Sequence, residues 1–350
     1  MTFLERLRSL GWFLTASAWF LFSDLVAQRA ASGLTQGDAQ EPLYRWFLLF
    51  LLLVGYGLMA RLSTPASKLA QGSTAKALGL QRRPGWRREI ALGAALGWAG
   101  VVACVLPAAL SGDLVLTFFT NPRQWWMMAL DVMALAAGTL AVEVAFRGYP
   151  FQRLVEAMGP ALATLFMAAI YAIWWTHAAP ATTATVLVAF LLGCVLAVGY
   201  LRTRALWVSW GLHFAWAAAM GIALGLPLAG PMSYSPLVVT NSRGAMWVSG
   251  GLQGPEGSAF GVIVAVLLVF AVVKVTGDLN YKYGFEEIVP GGIPVDLDAA
   301  ARQQHEAAMG AAAEQEPKLV QIQTATQEAG GRDERSESRD QGTEPGSRDQ

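Results

Sequence analysis

Residues 125–147 read WWMMALDVMALAAGTLAVEVAFR. Two tryptophans open the run, an apolar stretch follows, and Glu143 and Arg147 close it four residues apart. At 1.5 Å per residue, 125–146 covers the roughly 30 Å of hydrocarbon in a bilayer, so the stretch reads as a transmembrane helix. The i,i+4 spacing with the acid first sets both side chains on one helix face, where they can neutralise each other. An ionisable group within a span costs at least a few kcal/mol. Each such residue is therefore a functional candidate as well as an ion-pair member.

Seven further runs have similar character, near 9–27, 46–61, 90–110, 160–177, 181–200, 205–225 and 259–276. The second is the shortest. Eight spans predict an all-α, polytopic transmembrane helix bundle, because a helix satisfies its own backbone groups in lipid. Composition agrees: 54% of the residues are hydrophobic and only 14% charged, which points away from soluble domains. The formal net charge of zero hides a segregation. Residues 277–350 hold 15 of the 25 acids and 7 of the 25 bases, so the first 276 residues carry 18 bases against 10 acids. The tail ends in GRDERSESRDQGTEPGSRDQ and is too poor in large apolar residues to fold, apart from a short helix near 297–315. It reads as largely disordered. The run after Arg6 and Arg8 imitates a signal peptide, but its length and the spans that follow favour an uncleaved first helix.

Orientation follows from the basic residues of the short loops. The 61–89 connection carries Arg61, Lys68, Lys76, Arg82, Arg83, Arg87 and Arg88, and the 201–204 turn carries Arg202 and Arg204. The 226–258 loop has only Arg243, and 111–124 only Arg123. Threading eight spans from an internal N-terminus sets every basic loop on one side. The expectation is a multi-pass protein of the cell (plasma) membrane with both termini cytosolic and the lipid bilayer as its first partner. Cys104 and Cys194 lie in apolar runs with no disulfide or CxxC pattern. No nucleotide-binding motif and no basic patch with interleaved aromatics is present, so nucleic acid is not expected as a partner.

Two of the three histidines, His177 and His213, fall in or at the ends of spans. The segment FRGYPFQRLVEAM (146–158) continues the fourth span as an amphipathic helix kinked near Pro150, and Gly159-Pro160 reads as a sharp turn. Glu143 lies 16 residues before that turn and His177 lies 17 after Pro160, so a hairpin brings them to similar depth. His213 sits about 13 Å into its span from the basic turn. One carboxylate and two imidazoles at one level are the parts of a water-activating site, with Glu143 as base and the histidines as base partners or metal ligands. Histidines satisfied by interhelical hydrogen bonds are the plainer alternative. Trp174, Trp175, Trp210 and Trp216 flank the histidines and either wall a cavity or simply pack. Asp24 and Asp131 are the other intramembrane acids and raise a third class, a proton-coupled carrier.

These residues resemble the CPBP family of intramembrane proteases, the group of CAAX prenyl endopeptidases and bacteriocin-processing proteins. The family's EExxFRG, FxxxH and HxxxN motifs correspond to VEVAFRG (142–148), IWWTH (173–177) and HFAWA (213–217). LWVSWGLHFAW (206–216) resembles the context of the third motif, and GLPLAG (225–230) with GPEGS (254–258) resembles a downstream loop of some members. The resemblance divides the chain into N-terminal membrane helices (1–123), a CAAX-protease-like intramembrane core (124–276) and the polar tail (277–350). It implies an endopeptidase that cuts a membrane-associated peptide near the cytosolic face. Glu143, His177 and His213 would be its catalytic residues and Arg147 their ion-pair partner. The substrate would be a peptide or protein, prenylated or hydrophobic. Zn²⁺ held by His177 and His213 fits such a site, and so does a mechanism without a tightly bound metal. The chain departs from the pattern at Val142, where the family has its first Glu, and at Ala217, where it has Asn. Ile173 replaces the aromatic of FxxxH. Adjacent helical residues point about 100° apart, so Glu143 does not simply stand in for an acid at 142. A catalytically impaired pseudoprotease that binds or scaffolds is the alternative function.

Overall fold

The computed structural model describes residues 2–35, 40–63, 74–118, 122–177, 181–227, 238–242, 244–277 and 305–306. The polar tail and its short expected helix lie outside the described residues, except for Gly277, His305 and Glu306. The helices are α1 (Phe3–Leu34), α2 (Gln40–Ser63), α3 (Thr74–Ala77), α4 (Trp86–Leu110), α5 (Pro122–Arg147), α6 (Tyr149–Met158), α7 (Pro160–Thr176), α8 (Thr183–Thr203), α9 (Trp207–Ala217), α10 (Met246–Ser249) and α11 (Ala259–Val275). Among the described residues six helical segments are long and apolar enough to cross a membrane: Phe3–Leu34, Gln40–Ser63, Trp86–Leu110, Trp125–Met158, Thr183–Thr203 and Gly251–Val275. The two remaining expected spans are shorter. One is α7, and the other is α9 continued by a π-helical turn over Ala218–Ala223.

Local chemistry sets the helix ends. Thr2 and Glu5 form a reciprocal capping box ahead of α1, and the Ser258 hydroxyl accepts from Gly261 N–H at the start of α11. The break after α5 comes at Gly148, where a Cβ would lie 2.4 Å from the Val144 carbonyl oxygen. Pro150 then falls in the first turn of α6, where its missing N–H goes unnoticed. Gly159, with φ of 87°, and Pro160 turn the chain into α7.

Packing divides around α5. A first apolar cluster joins α1, α2, α5, α6 and α7 through residues such as Phe13, Leu52, Tyr56, Val142, Phe146 and Phe151. A second joins α4, α8, α9 and α11 through Val101, Leu196, Leu212, Trp216 and Leu268. Within the second, α4 and α9 cross backbone against backbone. A Cβ on Gly93 would be 2.1 Å from Val208 O, and one on Gly211 would be 2.4 Å from Ile90 O. Small residues at such a crossing allow the close approach on which helix association in lipid depends.

Polar contacts gather the base-rich segments at one end. Arg83 binds Glu89 and the Thr203 carbonyl, Trp207 Nε1 donates to Gln81 O at 2.9 Å, and Arg202 Nε donates to Thr276 Oγ1 at 2.8 Å. Ser9 Oγ donates to Glu156 at 2.8 Å and Gln152 to Ala77 O at 2.8 Å, which adds the N-terminus and α6 to the same end. At the other end the two base-poor loops meet in a feature absent from the all-α expectation. Strands β1 (Leu114–Phe118) and β2 (Val238–Ser242) pair antiparallel, from Leu114↔Ser242 to Phe118↔Val238. Two five-residue strands more than 110 positions apart leave no local period to read.

Gly211→Ala should lower the unfolding midpoint in detergent through the clash with α4, an overpacking cost of about 1–3 kcal/mol. Gly11→Ala in α1, where a Cβ meets nothing within 4 Å, should hold or raise it. Equal midpoints for the two variants would refute the tight α4–α9 crossing.

Candidate active site

Glu143 is fully buried in α5 between the two apolar clusters. One helical turn on, Arg147 is 1% exposed, and its Nη1 lies 3.3 Å from Glu143 Oε1. Its Nη2 reaches the Gly193 carbonyl of α8 at 3.5 Å, and the guanidinium stacks 4.4 Å over the Tyr171 ring of α7. From α9, His213 Nδ1 approaches the same Glu143 Oε1 at 2.7 Å. A carboxylate accepts, so Nδ1 is the donor, and in the neutral imidazole the lone pair is then on Nε2 at the other side of the ring. Glu143 Oε2 has no hydrogen-bond partner among the described residues. A buried carboxylate oxygen of that kind calls for a water or a reacting group.

The neighbouring residue turns away. Val142 packs in the first cluster, as the 100° step along a helix requires, while Glu143 faces α9. Ala217, one turn beyond His213, lines a cavity of about 10 Å³ that His213 also lines. Such a space holds about one water. α9 widens into its π turn immediately afterwards, a distortion frequent at functional sites.

The structure brings Glu143, Arg147 and His213 together and leaves His177 outside, contrary to the expected meeting of three. Phe146 packs on Trp174, so α5 and α7 bring 143 and 177 to comparable levels. Residue 177, however, is the C-cap of α7, and its exposed ring turns back so that Nδ1 meets the Trp174 carbonyl. His177 lines a separate groove of about 340 Å³ with Asp24, Tyr56, Phe146 and Trp174. Asp24 accepts from Tyr44 OH at 2.6 Å and from Gln28 at 3.0 Å. Asp131 lies twelve residues, about 18 Å, before Glu143 along α5, too far for the two to pass a proton directly.

Zn²⁺ held by His177 and His213 does not fit this arrangement. The two imidazoles open on different cavities and so are not placed to share one ion. Among the described residues no three His, Cys, Asp or Glu side chains form a group suited to a metal ion.

A further acid sits beside His213. Glu256, 2% exposed, lines the small cavity and accepts from Trp216 Nε1 at 2.8 Å and from Trp175 Nε1 at 3.3 Å. In the sequence it is a single acid between glycines and proline, in what reads as an external loop. The signal available was its type: an acid in GPEGS immediately ahead of an apolar span.

Residues 122–219 match the family described as type II CAAX prenyl endopeptidase, Rce1-like. This segment is that of a CPBP-family membrane protease. It holds Glu143, Arg147, His177 and His213 and stops short of Glu256. No curated protein and no solved structure matches the chain.

The Glu143–Arg147 pair of the CAAX-type segment should behave as one unit. Arg147→Met strands a buried carboxylate and should destabilise the protein by about 3–5 kcal/mol. Glu143→Gln combined with Arg147→Met should recover most of that loss. Additive losses in a double-mutant cycle of detergent unfolding would show that the two side chains are independent.

Proposed function

We propose that the chain is a CAAX-type intramembrane endopeptidase that cleaves a membrane-associated peptide near the cytosolic face with water activated at His213. The observation that carries this reading is the buried Glu143–His213 contact of 2.7 Å beside a one-water cavity. His213 Nε2 takes a proton from water as the oxygen attacks the peptide carbonyl. The imidazolium then returns that proton to the leaving amine. Glu143 Oε1 fixes the tautomer and faces the charge that forms on the ring, and Arg147 holds Glu143 in place. His213 lies six residues, about 9 Å, inside the base-rich end that begins at Trp207. The positive-inside rule supports a cytosolic placing of that end and of both termini. The apolar groove lined by His177 suits the hydrophobic or prenylated part of a peptide or protein substrate.

With a membrane-tethered fluorogenic peptide in proteoliposomes, Glu143→Gln and His213→Ala should each lower kcat about a hundredfold or more. His177→Ala should act mainly on KM, through the groove. Unchanged turnover in His213→Ala would overturn the mechanism.

A second reading, a pseudoprotease that binds such peptides without cutting them, draws on two apolar positions. Val142 packs in a core cluster, and Ala217 offers only a methyl group to the cavity. It requires a silent wild type and a gain of cleavage in Val142→Glu/Ala217→Asn. Robust wild-type turnover rejects it.

A further inference from the structure

The loop ahead of α11 delivers one carboxylate into the bundle. Its segment Gly251–Gly257 winds as a 3₁₀ turn, with Gln253 to Gly257 buried. Irregular backbone at membrane depth is tolerated only when protein encloses it. Gly250 and Gly254 have φ of 76° and 63°. A Cβ on Gly250 would fall 1.6 Å from Gly254 O, and one on Gly254 2.7 Å from Pro227 O. Both positions therefore require glycine. At the tip, Glu256 is gripped by the indoles of Trp216 on α9 and Trp175 on α7. Those same helices frame His213, with the Trp175 ring 6.0 Å from the imidazole.

Charge balance sharpens the picture. Arg147 offsets Glu143. The small cavity that Glu256 shares with His213 has no Lys or Arg in its lining. The two indoles are neutral donors, so among the residues lining this cavity His213 is the one able to bring a positive charge to Glu256. Each indole uses one lone pair of one oxygen, and each oxygen keeps another for a water in the cavity. The neighbouring lining residue Ala217 leaves the space that a longer side chain there would fill.

We propose that Glu256 is the second carboxylate of the active site, holding the cavity water against His213 and stabilising the imidazolium that forms when that water is deprotonated. From a distant loop it brings a polar group to the cavity that Ala217 lines, where the protease motif has its Asn. One water proton passes to His213 Nε2 and the other stays hydrogen-bonded to Glu256 while the oxygen attacks the carbonyl. The assignment rests on the proteolytic reading above.

The test uses the full chain in proteoliposomes with the same tethered peptide, and follows kcat, KM and the unfolding midpoint together. Glu256→Gln should lower kcat about a hundredfold with KM and midpoint unchanged. Glu256→Ala/Ala217→Asn should regain at least about tenfold over Glu256→Ala, an order of magnitude below the full catalytic effect, because the amide returns a polar group to the cavity. Should Glu256→Gln fail to fold, Glu256→Asp keeps the charge and both acceptors but withdraws them, and it too should lose kcat at constant midpoint. Wild-type kcat in Glu256→Gln or Glu256→Asp, while Glu143→Gln is silent, overturns the role of Glu256 and leaves the protease reading standing. A loss of kcat that merely follows the midpoint assigns Glu256 to structure and overturns the role as well. Wild-type protein no faster than His213→Ala overturns the protease reading, and the role of Glu256 falls with it.

Discussion

A carboxylate with no exposed surface, set among apolar helices, needs a cation and a donor at fixed positions. Glu143 has both in Arg147 and His213, and much of the bundle follows from that need. Arg147 is reachable because it lies one turn along the same helix, and it also reaches the Gly193 carbonyl and the Tyr171 ring. His213 is reachable only if α9 stands close to α5. The glycine contacts between α4 and α9 hold α9 at its depth and rotation. Removing a buried charge's partner costs several kcal/mol, far more than a surface pair is worth. This cluster therefore fixes helix rotation as firmly as apolar packing does.

The rotation has a consequence for chemistry. Of the adjacent residues 142 and 143, one must face the first apolar cluster and the other α9, because a helix turns 100° per residue. The chain places its carboxylate on the α9 side and a valine on the other. The site is then organised around a single imidazole with its tautomer set, beside a space for one water. The groove that His177 lines, about 340 Å³, is much the larger of the two spaces. The groove and the small cavity share no lining residue.

The two ends of the bundle are built differently. The base-rich end is laced by side chain to backbone contacts among the N-terminus, the 61–89 connection, α6 and the 201–206 turn. At the opposite end a two-stranded ribbon joins the loops, and a glycine-rich turn folds inward from the second of them. The inward fold brings Glu256 beside Trp175 and Trp216. Its backbone depends on φ values that glycine alone adopts cheaply.

The sequence by itself determined the helical bundle, the approximate place of each span, the gathering of basic loops, the Glu143–Arg147 pair and the protease resemblance. Each rests on local quantities: the length of an apolar run, an i,i+4 spacing, a count of bases, a motif. Tertiary structure decided what depends on direction rather than depth. Glu143 and His177 are at comparable levels, yet a side chain at the C-cap of α7 points to a different cavity from one in the middle of α9. The strand pairing and the approach of Glu256 to His213 were likewise invisible. One pairs segments more than 110 residues apart, and the other hangs on a loop that reads as external until its backbone is seen to turn back into the bundle. Depth accumulates at 1.5 Å per residue and can be counted along a sequence. Rotation and re-entry are set by which neighbours a helix or loop meets, and those neighbours come from elsewhere in the chain.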